Sequence, residues 1–108
     1  MERRKAPRAN VNLPVKWQRN RTRRTGNVSS ISRSGFFVLS GGRVKAKELL
    51  RFSITLPDGE VLTGDAEVVE AAFEIGFAAT FISLDMANLK RLDRLLGECF
   101  GKLPKAKR

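Results

Sequence analysis

The stretch Val11-Asn12-Leu13-Pro14-Val15-Lys16-Trp17-Gln18 alternates apolar and polar residues without a break. A strand turns successive side chains to opposite faces, so Val11, Leu13, Val15 and Trp17 share a buried face and their polar neighbours the other. Pro14 has no N–H to give a ladder, which puts its amide side at an edge or a bulge. The same period recurs downstream. A second strand is expected around Asn27 to Ile31. The polar, basic run from Arg19 to Gly26 is either a hairpin connection or the continuation of two exposed strand ends. Gly35 to Leu39, with Phe36, Phe37 and Val38, reads as a buried third strand. After a turn at Gly41-Gly42, Leu50, Phe52, Ile54 and Leu56 repeat at period two, and Pro57-Asp58-Gly59-Glu60 supplies turn chemistry. Val61 to Val69 and Ala72 to Ile82 follow as longer strands, the latter with Phe73, Ile75, Phe77, Ala79 and Phe81 on one face.

The period then changes. Met86, Leu89, Leu92, Leu95, Leu96 and Cys99 recur at threes and fours, which predicts a helix from about Asp85 to Phe100. Asp85 is its expected N-cap, and Gly101 and Pro104 end it. Six short strands and one helix in 108 residues predict an all-β fold with a terminal helix: a small antiparallel six-stranded β-barrel plus a C-terminal α-helix. The helix stripe is read as a plug for one barrel end, since a chain this short has material for one core only. Residues 1–9 are expected to be a flexible basic arm, 10–100 the barrel with its helix, and 101–108 a disordered basic tail.

The chain has no His, no Tyr and a single Cys, Cys99. Those absences exclude His-dependent general bases, Ser/His and Cys/His nucleophile pairs, Cys/His zinc sites and an intrachain disulfide. Cys99 reads as a small buried hydrophobe. The carboxylate pairs Asp58/Glu60 and Asp65/Glu67 sit two apart, which marks them as solubilising groups on strand faces, and no phosphate-cradling glycine loop is present. The expectation is a protein that is not an enzyme and holds neither metal nor cofactor. A lone thiol suits a reducing compartment. The basic residues before Arg8 lead into no apolar run of signal length, and no run approaches a membrane span. The chain is therefore expected to be cytoplasmic, without membrane insertion, and intact from Met1.

Charge is divided along the chain. Residues 1–51 hold 14 Lys/Arg against 2 acids, residues 52–99 hold 3 against 9, and residues 100–108 add 4 basic residues and no acid. A basic half beside an acidic half points to an anionic partner at the first: a nucleotide, a nucleic acid or an acidic protein surface.

Two short motifs lie in that basic half. Arg4-Lys5-Ala6-Pro7-Arg8 puts two arginines four apart before the first strand, and Ser30-Ile31-Ser32-Arg33-Ser34-Gly35 lies between the second and third. On these residues the chain resembles the PilZ domain family, bacterial receptors for the second messenger cyclic di-GMP. That family carries Arg-x-x-x-Arg before the first strand and Asp/Asn-x-Ser-x-x-Gly at a strand connection. Arg4 and Arg8 match the first motif, Ser32 and Gly35 the second. Ala78 to Leu84 is similar to the family's last barrel strand, with Ala78 in place of a Gly. The resemblance spans roughly Arg3 to Leu96.

It implies a non-enzymatic cyclic di-GMP receptor or adaptor that changes its surface on binding and regulates an unidentified effector protein, in a process such as motility, pili, exopolysaccharide or gene expression. The ligand contacts it implies are Arg4, Arg8, Ser30, Ser32 and Gly35, with Arg3, Lys5 and Arg33 as further contacts. A guanidinium suits such a ligand, because it forks onto the O6/N7 edge of guanine, bridges a phosphate, or lies flat on a purine. Pro7 stiffens the segment between the two arginines. Position 30 is Ser where the family has Asp or Asn, and a hydroxyl accepts one guanine N–H with shorter reach and no charge. Starting the motif at Asn27 restores the amide and loses the Gly. The Ser30 register is preferred because Gly35 then precedes Phe36-Phe37-Val38, where the chain must turn tightly.

Two alternatives stand beside this. One is a nucleic-acid-binding basic barrel, in which Arg19, Arg21, Arg23, Arg24 and the tail lysines track a phosphate backbone and Trp17 is the candidate stacking ring. The other is a PilZ-like adaptor that binds protein alone.

Overall fold

Alternation at period two and the change to a helical period are both realised in the computed structural model, which describes residues 8–40, 44, 46–72 and 75–101. The elements are β1 (Ala9–Arg19), β2 (Thr22–Ile31), β3 (Gly35–Leu39), β4 (Leu49–Thr55), β5 (Val61–Ala72), β6 (Gly76–Ser83) and α1 (Met86–Gly101). They form a closed antiparallel barrel in the order β1-β2-β3-β6-β5-β4. Closure is made by β1 on β4, with Val15 opposite Ile54 and Gln18 opposite Arg51, so the strands leave no open edge. Pro14 is tolerated for two reasons. It lies just past an irregularity between Asn10 and Leu13, and one residue outside the β1–β4 ladder.

The basic run Arg19 to Gly26 is strand continuation. The β1–β2 ladder extends to Arg19 opposite Thr22, and the connection is Asn20-Arg21, with Asn20 at φ 56°. Asn tolerates that left-handed conformation because its short polar side chain compensates locally. β1 begins at Ala9, which is already buried, so the barrel starts one residue earlier than expected.

The fifth and sixth strands correct the sequence reading. β5 runs on to Ala72 and β6 starts only at Gly76, so Ile75 lies in the connection and is 58% exposed instead of sharing the inner face of Phe77 and Ala79. An irregularity between Val68 and Glu70 shifts the alternation along β5. Gly76 meets Leu39 of β3 so closely that a Cβ would collide with the Val38 carbonyl oxygen. The expected turn at Gly41-Gly42, the face position of Phe73, the arm to Pro7 and the tail from Lys102 lie outside the described residues.

Inside the barrel, Trp17 meets Phe77 edge-on at 5.2 Å, and Phe36, Phe52 and Phe81 form a ring cluster with centroids 5.0 to 5.6 Å apart. Leu92, Leu95 and Leu96 of α1 are buried with them, Cys99 is half-buried against the same core, and Met86 is exposed at the start of the helix. Asp85 caps α1, its Oδ1 accepting the Asn88 backbone N–H at 2.8 Å. Its carboxyl is held below the usual carboxylate range, first by that backbone bond and then by the Asn88 side chain. Asn88, 6% exposed, in turn accepts the Thr63 N–H through Oδ1 at 2.9 Å. The β5–β6 ladder ends at Asp65, so without Asn88 that N–H has no strand to bond.

The acidic turn residues also anchor the helix: Arg91 Nε lies 2.8 Å from Glu60 Oε1, and Arg94 Nη2 3.4 Å from Asp58 Oδ2. Three of the four carboxylates read as solubilising groups thus have partners: Asp58 and Glu60 in helix arginines and Asp65 in Arg51. Among the described residues, no helix is long and apolar enough to cross a membrane.

Candidate functional site

The β2–β3 turn is built by its two serines. Ser32 N–H donates to the Gly35 carbonyl at 2.8 Å and closes the hairpin. Ser32 Oγ accepts the Ser34 N–H at 3.2 Å and lies 3.0 Å from Ser34 Oγ. Ser32 is only 4% exposed, so its hydroxyl acts as a backbone surrogate that fixes the turn. The Ser34 carbonyl accepts the Phe81 N–H at 2.9 Å, stapling the turn to β6. Gly35 is required by that approach, since a Cβ there would collide with the Ala79 carbonyl oxygen. Ser32 and Gly35, both singled out as site residues, therefore shape the turn from within, and what the turn shows to solvent is Arg33 and Ser34.

Arg8 enters from the start of β1. The β1–β2 register sets Ala9 opposite Ile31 and Asn10 opposite Ser30, which brings Arg8 beside Ser30 across 22 residues of sequence. Its Nη1 donates to Ser30 Oγ at 3.5 Å, a long contact that a better acceptor displaces readily. The guanidinium has no carboxylate partner among the described residues, so its remaining donors and its flat face stay available. Both ladders of β2 are irregular at one place just before Ser30: between Asn10 and Leu13 on β1, and between Val28 and Ser30 in the pairing with β3. These irregularities turn this short segment away from regular pairing.

Asn27 lies opposite Pro14, three residues further along β2, or about 10 Å by strand rise. Its amide already donates to Asn12 Oδ1 at 2.8 Å. Arg33 is engaged as well: its Nε lies 3.1 Å from Asp93 Oδ1 on α1, both side chains about half exposed. No signal in the sequence paired those two, because Asp93 lies sixty residues later, on α1. Arg3, Arg4 and Lys5 lie outside the described residues. Trp17, the candidate stacking ring, is 3% exposed and belongs to the core, because its β1 position faces Phe77. Among the described residues no three His, Cys, Asp or Glu side chains are grouped to hold a metal.

Comparison with curated proteins gives no match. Among solved structures, the PilZ domain with c-di-GMP of YcgR from Escherichia coli is similar at TM-score 0.79 and 10% identity, covering 97% of this chain and 97% of that one. The K. pneumonia MrkH-c-di-GMP complex is similar at 0.80 and 16% identity, covering 100% of this chain and 55% of that one. The Bacillus subtilis inhibitor of motility, MotI/DgrA, is similar at 0.78 and 19% identity, with the same coverages. The chain thus spans about half the length of MotI and MrkH. Identities this low speak for the shared barrel and helix and leave function to the site. The sequence itself carries the assignment further: the family model for the PilZ domain matches residues 2–98, and the chain belongs to that family.

Proposed function

We propose that this chain is a receptor for cyclic di-GMP that reports its occupancy to a partner protein. The observation that carries the reading is the meeting of Arg8 and Ser30 beside the Ser32–Gly35 turn, which joins the two motif halves at one corner of the barrel. The YcgR PilZ domain and MrkH were each solved with c-di-GMP, which supports the same ligand class here. Cyclic di-GMP offers two phosphates and two guanines. Arg8 forks onto the O6/N7 edge of one guanine or bridges a phosphate, and Arg4, one motif spacing earlier, takes the complementary position. Ser30 accepts a guanine N–H once Arg8 has moved to the ligand. Ser32 and Gly35 keep the turn rigid, so little ordering is needed at that edge on binding.

The chemistry is recognition alone. Binding draws the sequence around Arg4 over the barrel wall and alters the surface shown to an effector, so the output is a shift of population between two surfaces. The nucleic-acid reading is weaker, because the outward-facing ring of β3, Phe37, is half-buried opposite Ser30, and no exposed ring lies along the Arg19–Arg24 run. Amide shift mapping by NMR tests the assignment. Titration with cyclic di-GMP is expected to move Arg8, Asn10, Ser30 and Arg33 and to leave the β4–β5 connection unmoved, whereas shifts confined elsewhere would relocate the site.

A further inference from the structure

A concavity of about 490 Å³ forms a groove on the outer wall of the barrel, away from the β2–β3 turn. It crosses β2, β1, β4 and β5, which are neighbours in the ring. The registers set Thr25, Lys16, Ser53 and Thr63 in one row across these strands. Arg23, Gln18, Arg51 and Asp65 form the next row. On β1 and β4 these residues alternate with buried Trp17 and Phe52, so they face outward and the ring-bearing positions lie beneath the groove. The walls are the aliphatic stems of Lys and Arg and the methyl groups of Thr, so an apolar side chain fits between them while the charged tips stay wet.

Charge runs along the groove. At the β1–β2 end the outward-facing Lys16 and Arg23 line it, and neither has a carboxylate in ion-pair reach among the described residues, while Arg24, opposite Trp17, projects to the other face. Arg51 in the middle shares Asp65 at 3.2 Å. Past Arg51 and Thr63 the groove opens into a second concavity of about 200 Å³, bounded by Asp65, Ser83 and Asp85. The groove is therefore cationic at one end, while at the other the Arg51–Asp65 pair cancels and Asp85 leaves a net negative charge.

That polarity selects the occupant. A phosphodiester chain is anionic throughout and would meet Asp65 and Asp85 after leaving Lys16 and Arg23, and no exposed aromatic ring compensates by stacking. The chain's own ends are excluded too: residues 1–7 and 102–108 carry 7 Lys/Arg against one acid, and the cationic end repels them. A peptide with its acids clustered on one side satisfies both ends.

We infer that this groove docks a segment of a partner protein whose acidic cluster sits on Lys16 and Arg23, whose apolar residue fills the space over Ser53, and whose neutral or basic continuation runs toward Asp85. β1 and β2 connect it to the proposed dinucleotide corner: Thr25 in the groove and Ser30 at the corner are five residues apart on one strand, about 17 Å by strand rise. The groove's role as the effector surface rests on the receptor reading, while its affinity for an acidic segment does not.

The test is fluorescence anisotropy with a fluorescein-labelled peptide whose first half sets Glu pairs beside Leu and whose second half is Gln, Ser and Lys. A version with Gln for every Glu and an oligothymidylate of equal length are the comparisons. The acidic peptide is expected to bind saturably and more weakly as salt rises. Lys16→Glu and Arg23→Glu should each weaken it about tenfold, and Arg23→Gln by less, with melting midpoints unchanged. Equal binding of the Gln version, indifference to both charge reversals, or tighter binding of the oligothymidylate would overturn the inference. Peptide binding that persists where cyclic di-GMP gives no heat supports the groove and refutes the receptor reading. Cyclic di-GMP heat without peptide binding refutes the groove alone.

Discussion

Arg33 at the tip of the β2–β3 turn is paired with Asp93 of the helix, Nε to Oδ1 at 3.1 Å. The residue named by the motif as a further ligand contact is thus held by a carboxylate that a ligand must displace. Asp93→Asn releases it. Because both side chains are about half exposed, the pair contributes only about 0–1 kcal/mol to the fold. The variant should melt within a few degrees of the wild type and bind cyclic di-GMP about two- to threefold more tightly, a small fraction of a charge-assisted bond. Identical affinities by calorimetry would remove Arg33 from the site.

Gly35→Ala tests the turn itself. The added methyl meets the Ala79 carbonyl oxygen, so either β3 or β6 must move. A loss of about 2 kcal/mol or more is expected, the range of strain at a closely packed backbone position. Thermal melting reads it directly, and an unchanged midpoint would show that the turn yields.

The helix is tied down by a polar relay, Asp85 to Asn88 to Thr63. Asn88→Ala leaves the Thr63 N–H without its acceptor beneath the helix, at a cost of about 1–3 kcal/mol. Asp85 adds a pH dependence. Its carboxyl is depressed by the Asn88 bonds, so the unfolded chain binds the proton more readily than the folded one. The cap is fully stabilising above the ordinary carboxylate pKa and is lost as pH falls through the lowered value. Acid titration of the melting midpoint should therefore fall less steeply in Asp85→Asn than in the wild type.

The barrel was readable because period two marks a half-buried strand wherever the partner lies. Val15, Trp17, Phe52 and Ile54 alternate as a closed sheet requires, and Asp85 announces the helix by its cap chemistry. The β5–β6 boundary is not legible in the sequence, because Phe73, Ile75 and Phe77 keep the period through a connection, and the shift between Val68 and Glu70 leaves no mark in composition. At the candidate site, the motif gave Ser30, Ser32 and Gly35 as a set. It did not separate a buried turn-former, Ser32, from a half-buried neighbour of Arg8, Ser30, because that distinction depends on β1 pairing. Trp17 reads as a surface ring from sequence for the same reason: whether the inner face of β1 is covered depends on Phe77, sixty residues away.

Ser30→Asp examines the chain's departure from the family pattern. A carboxylate beside Arg8 accepts two guanine N–H donors where the hydroxyl accepts one, so cyclic di-GMP should bind several-fold more tightly. Asn27→Ala, which removes the bond to Asn12, should leave that affinity unchanged. The opposite pattern would move the site three residues along β2.

The most direct measurement is calorimetric titration of the wild type and Arg8→Ala with cyclic di-GMP, with GTP as the control ligand. The wild type should bind cyclic di-GMP saturably and in preference to GTP. Arg8→Ala removes charge-assisted bonds of about 1.5 to 3 kcal/mol, so its affinity should fall roughly ten- to a hundredfold while the melting midpoint of the free protein stays the same. No heat from the wild type, or equal affinity in Arg8→Ala, would contradict the account.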